Sequence, residues 1–111
     1  MNIKSALRIL LVLALFNACA KKAPIVPPSV IQLEEFSEIL LDIRLAETQQ
    51  KLSIRNGNST PNFFDSTYLL IYRLHEVTPE LVDTSFKWYV RNPILLEEID
   101  QKILDKLNHL Q

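Results

Sequence analysis

Three times in its second half the chain sets a small polar residue directly before a proline: Thr60-Pro61, Thr78-Pro79 and Asn92-Pro93. Proline has no N–H and fixes φ, so it breaks a helix from within but suits the first helical position, where an N–H would have no intrahelical partner. The Thr or Asn before it can accept from the next orphan N–H groups. The three pairs therefore predict helices opening at Pro61, Pro79 and Pro93. Each segment then carries apolar residues at helical spacing. The first has Phe64, Tyr68, Ile71 and Leu74, closed by His75 and the link Glu76-Val77. The second has Val82, Phe86 and Tyr89, with Leu81 and Trp88 on a flank. The last has Leu96, Ile99, Ile103, Leu107 and Leu110, opposite Glu97, Glu98, Gln101 and Lys102.

An earlier helix is predicted from about Ile31 to Leu52, with Ser29 and Gln32 in capping-box spacing. Leu33, Phe36, Leu40 and Ile43 make one stripe, and Leu41, Leu45 and Leu52 a second on nearly the opposite side. A helix apolar on two sides is either buried by two neighbours or keeps one side for a partner. The turn cluster Asn56-Gly57-Asn58-Ser59, which holds the only glycine, ends it. No stretch shows strand alternation. The fold class is all-α: a small bundle of about four helices with short links, the last three antiparallel neighbours.

The first residues are of another kind. Lys4 and Arg8 precede an unbroken apolar run from Ile9 to Phe16, far short of the ~20 residues a membrane span needs, which is the layout of a secretion signal. The chain's only cysteine, Cys19, stands at its end, after Phe16, Asn17 and Ala18. These four residues resemble the lipobox of bacterial lipoproteins. The resemblance implies that Cys19 becomes the first mature residue and carries acyl chains, palmitate among them, on its sulfur and amine. The expected organisation is a signal peptide at 1–18, a lipidated cysteine and Pro-rich tether at 19–29, and a helical domain at 30–111. The tether holds Pro24, Pro27 and Pro28 and would span ~30 Å at the polyproline rise; Lys21 and Lys22 lie within reach of anionic headgroups.

Composition narrows function by exclusion. Twelve basic against 13 acidic side chains give a net charge of −1, and loss of Lys4 and Arg8 with the signal leaves −3. Nucleic acid is not an expected partner, because the basic stripe that displaces counterions is missing. One glycine excludes a Gly-rich phosphate loop, and no Gly-x-Ser-x-Gly elbow is present. His75 and His109 lack metal-ligand spacing and cysteine neighbours, so no metal, and no cofactor, is expected. Glu34, Glu35, Glu38 and Asp42 form a row on one helix, the arrangement of a solvated face rather than of a catalytic pair across a cleft.

Glu47 is the polar residue that stands out, since it shares the stripe of Phe36, Leu40 and Ile43. A carboxylate there needs a partner. It is either a group that recognises a ligand or protein, or a core-edge acid tied to Lys51, Arg73, Arg91 or Tyr89. Among the aromatic residues, Phe63 and Trp88 sit off their stripes and are expected to be the more exposed. Asn58-Ser59-Thr60 and Asp65-Ser66-Thr67 match short glycosylation patterns that carry little weight alone.

Two blocks, Glu38 to Glu47 and Leu81 to Tyr89 running on through Pro93, Ile99 and Leu107, are similar to a family of short lipoproteins from Bacteroidota catalogued as domain of unknown function 4296. Arg44, Trp88 and Asp100 depart from the histidine, tyrosine and tyrosine more usual there. The resemblance carries no activity. The expectation is a non-enzymatic, lipid-anchored envelope protein, on the periplasmic side of the outer membrane, that binds another envelope protein through Leu41, Leu45 and Glu47. The alternative is a module that binds a small apolar ligand or lipid near Glu47.

Overall fold

The computed structural model describes residues 2–16, 24–58 and 61–111. Cys19, Lys21, Lys22 and the Thr60 cap lie outside the described residues. Five helices and no strand are present among the described residues: α1 (Ile3–Phe16), α2 (Leu33–Arg55), α3 (Phe63–Leu74), α4 (Pro79–Val90) and α5 (Pro93–His109). The protein is all-α, and the helices after α1 are the four anticipated. α1 covers the apolar run Ile9 to Phe16 together with Lys4 and Arg8. No helix among the described residues is long and apolar enough to cross a membrane.

α2 is the spine of the domain, 23 residues or ~35 Å long. It packs on α5 along one side and on α3 along another, and α4 lies on α5. The consecutive pair α3 and α4 is not a principal packed pair, against the expectation that the last three helices are antiparallel neighbours. The apolar stripe of α3 meets α2 instead. The core is built from Phe36 and Ile39 of α2, Ile71 of α3, Val82 and Tyr89 of α4, and Leu95, Ile99 and Ile103 of α5, with Val30 and Ile31 ahead of α2. The Phe36 and Tyr89 rings stack 4.7 Å apart, and Trp88 meets Tyr89 edge-on at 5.0 Å.

Helix ends follow local chemistry. α2 runs to Arg55, three residues past the expected end. There Gly57, at φ 79°, takes the left-handed conformation. The Asn58 N–H donates to the Ser53 carbonyl and the Gly57 N–H to the Ile54 carbonyl, the Schellman pattern. α3 ends the same way without a glycine: Glu76 sits at φ 54°, with the Val77 N–H on the Tyr72 carbonyl and the Glu76 N–H on the Arg73 carbonyl. Thr78 caps α4 as expected, its hydroxyl accepting from the Leu81 N–H at 3.1 Å.

Three starts differ from expectation. α5 opens at Pro93, but the Asn92 side chain donates to the Trp88 carbonyl at 2.7 Å instead of capping it. The capping box does not form: α2 begins at Leu33, and the Gln32 side chain donates to the Pro27 and Val30 carbonyls rather than capping the helix. Burial of Val30 and Ile31 holds that stretch in a turn and an extended step. α3 begins at Phe63, because Asn62 before it is left-handed, at φ 60°. The stripes also rotate. Ser85 rather than Phe86 faces the core of α4, Leu95 joins that of α5 while Leu110 is exposed, and the half-buried Trp88 and Phe63 are not the exposed aromatics, which are Phe64 and Phe86.

Candidate functional site

α2 presents two sides that carry polar or exposed apolar groups, one toward α3 and one toward α5. Toward α3, the Tyr68 hydroxyl donates to Glu47 Oε1 at 2.7 Å, and His75 Nε2 lies 2.7 Å from Asp42 Oδ2. Glu47 is thus half-buried and tied, but to Tyr68 rather than to Lys51, Arg73, Arg91 or Tyr89. Helical spacing places Tyr68 on its own apolar stripe, so its hydroxyl end carried no signal in the sequence. Burial, and then the hydrogen bond to Glu47, push the Tyr68 hydroxyl up to about 12, so at neutral pH it stays protonated and donates. Burial also raises the neighbouring Tyr72.

Toward α5, the acidic row becomes a rim of ion pairs. Lys102 reaches Glu34 at 2.9 Å, Lys106 reaches Glu34 and Glu38 at 3.1 Å each, and Arg44 meets Asp100 at 2.8 Å. Arg44 and Asp100 thus pair across the α2–α5 contact. Hydrogen bonding to Lys102 and then Lys106 holds Glu34 below the usual carboxylate range. Burial works against the charge of Lys106, but its hydrogen bonds to Glu34 and Glu38 outweigh that and raise it. Only Asp42 leaves the row for α3. Such exposed pairs are screened by water and salt, so they align α2 with α5 rather than hold the two together.

The face of α2 that borders α5 also carries apolar groups. Leu41 is half-buried and packs on the core, whereas Leu45 is 42% exposed and Leu52 51%. Leu41 also floors an open groove of about 470 Å³ that is completed by Asp105, Lys106, His109 and Leu110 at the end of α5. Leu41 and Leu45 thus occupy one surface, next to the groove. Glu47 belongs to another, at the α2–α3 contact.

The two polar pairs toward α3 stand apart. The Asp42–His75 pair has the form of an oriented base, but Glu47–Tyr68 lies more than a helical turn away along α2. Among the described residues no group of three or more His, Cys, Asp or Glu side chains could hold a metal ion.

Comparison with curated proteins finds no match, and comparison with solved structures finds none. The family comparison does: residues 27–111, the whole of the packed domain, match the domain of unknown function DUF4296, and the chain belongs to that family.

Proposed function

We propose that this protein is a lipid-anchored envelope protein, acylated on Cys19, whose helical domain faces the periplasm and serves as a non-catalytic interaction module. The observation that carries the reading is the position of the only cysteine, three residues beyond an apolar 14-residue helix that bears Lys4 and Arg8 in its first half. A short apolar helix behind cationic residues suits a cleavable signal, and two or more acyl chains give stable attachment. Ala20 after the cysteine, by resemblance to lipoprotein sorting rules, favours the inner leaflet of the outer membrane. The interaction role is supported by Leu45 and Leu52, large apolar side chains left open along α2 beside the groove at Leu41.

The test is Cys19→Ser in the native cell, followed by alkynyl-palmitate labelling and membrane fractionation. Wild type is expected to label and to sediment with membranes, and the variant to do neither in processed form. A variant that is still processed and membrane-bound would overturn the anchor. In-cell crosslinking with mass spectrometry then identifies the envelope protein bound.

A further inference from the structure

The chain leading into α2 is not loose tether. Val26 packs against the core, the Val30 N–H closes a turn on the Pro27 carbonyl at 3.1 Å, and Val30 and Ile31 are each only 5% exposed. Both main-chain groups of Ile31 are gripped by α4: its N–H donates to Ser85 Oγ at 2.9 Å, and its carbonyl accepts from the Tyr89 hydroxyl at 2.8 Å. Ser85 and Tyr89, four residues apart on one face, are both fully buried, and Tyr89 is fixed in turn by stacking on Phe36. Peeling this segment away would expose two apolar side chains and leave two hydroxyls unpaired in the core. The domain therefore begins at Val26 in mechanical terms.

That shortens the leash. Seven peptide units separate Cys19 from Val26, and seven residues reach at most ~25 Å when fully extended. This is less than the ~35 Å length of α2. We infer that in the acylated protein the clamp on Ile31 turns the N-terminal end of α2 toward the bilayer, so that the end carrying Pro28, Gln32 and Glu35 faces phospholipid headgroups and the Arg55 end points away. The inference rests on the acylation of Cys19. At that end Glu35 and Glu76 border a hollow of about 270 Å³ with Pro28, Gln32, Val77 and Leu81. Glu35 and Glu76 repel anionic lipids, and Lys102 and Lys106 near this end are paired with Glu34 and Glu38, so the leash rather than surface charge keeps it at the membrane. A partner would then be met on the sides or the far end of the bundle.

The test uses the full acylated protein in vesicles of phosphatidylethanolamine and phosphatidylglycerol that carry headgroup acceptors. A donor dye is placed through Glu35→Cys or Arg55→Cys; the sulfur of Cys19 is blocked by its acyl chain. Energy transfer is expected to be about twofold or more higher from position 35 than from position 55, which lies ~30 Å further along α2. Inserting about twelve Gly and Ser residues between Ala23 and Pro24, which adds roughly 20 Å of mean reach, should lower transfer from position 35 and narrow the difference. Equal transfer from the two positions, or transfer from position 35 that ignores the insertion, would overturn the orientation. Intact mass and vesicle flotation separate this from the anchor reading: a chain without acyl mass that does not float removes both, whereas an acylated, floating chain with equal transfer removes only the orientation.

Discussion

The two sides of α2 are held by different physics. Toward α5, Leu95, Ile99 and Ile103 are buried against Phe36 and Ile39, and the charged pairs sit at the rim. Toward α3, Ile71 is the only α3 residue wholly in the core; Leu69, Leu70 and Leu74 are largely exposed, and the contact is completed by Tyr68–Glu47 and His75–Asp42. Burying a large aliphatic side chain contributes about 1.5–3 kcal/mol, whereas a typical hydrogen bond contributes a net 0.5–1.5 kcal/mol. The α5 side therefore sets the stability of the domain. The α3 side sets a geometry, and it is the side expected to open first in local unfolding.

The harshest test of that contrast is Ile103→Asp. Ile103 is fully buried, and a carboxylate there would be desolvated beside apolar neighbours at a cost above about 4 kcal/mol. The variant should show no cooperative melt by circular dichroism. Ile71→Asp, at the edge of the same core, should leave a residual transition. Were Ile71→Asp the more damaging of the two, the ranking of the sides would be reversed.

Tyr68→Phe addresses the α3 side alone. It removes the donor to a half-buried carboxylate and should cost about 1–2 kcal/mol, with amide exchange speeding up in α3 before α5. It also has a pH signature. Because burial and Glu47 raise the Tyr68 hydroxyl from 10 to about 12, its contribution is intact below pH 10 and is lost as pH rises through the window from 10 to about 12. Burial raises Tyr89 to about 12 and lifts Tyr72 as well, so wild type loses three contributions as the pH rises above 10 and Tyr68→Phe two. The α5 rim behaves oppositely. Glu34, held below its ordinary value by Lys102 and Lys106, stabilises above that value, and its contribution is lost as pH falls through the folded one. An alkaline unfolding curve unchanged by Tyr68→Phe would break the assignment.

Much of this contrast was legible in the spacing of apolar residues. Phe36, Ile71, Val82, Tyr89, Ile99 and Ile103 fall where a 3.6-residue period puts them, and proline fixes the starts of α4 and α5. The period does not resolve a rotation of one residue, which is why Ser85 rather than Phe86 and Leu95 beside Leu96 turned inward. A buried serine is invisible to a hydrophobic pattern; Ser85 belongs in the core only because Ile31 brings its N–H there. The partners of Glu47 and Asp42 lie 21 and 33 residues away and depend on the crossing of α2 with α3, which no local rule supplies.

A gentler change sharpens the comparison from the other direction. Glu76 closes α3 in a left-handed conformation, at φ 54°, that glycine adopts without steric cost. Glu76→Gly should raise stability by about 0.5–1 kcal/mol, less the entropy glycine adds to the unfolded chain, and should slow exchange in the last turn of α3. A melting temperature that falls instead would mean that the Glu76 side chain contributes more than its backbone strain costs.

Leu45→Asp should have the smallest effect on the fold and the largest on what the fold is for. Leu45 is 42% exposed, one turn from Leu41 on the face of α2 that borders α5. Removing it takes little apolar surface out of contact, and the new carboxylate stands in water, so the change in stability should stay within about 0.5 kcal/mol. If this face docks an envelope protein, the same charge must be desolvated on binding without a partner, and the crosslinked complex should be lost while the melt is kept. Leu41→Asp is the control that gives the result meaning, because Leu41 also packs on the core and should lose both stability and partner. A Leu45→Asp protein that unfolds as Leu41→Asp does would place Leu45 inside the apolar contact. One that melts normally and still captures its partner would move the interface to the α3 side, where Leu70 and Leu74 are more exposed than Leu45.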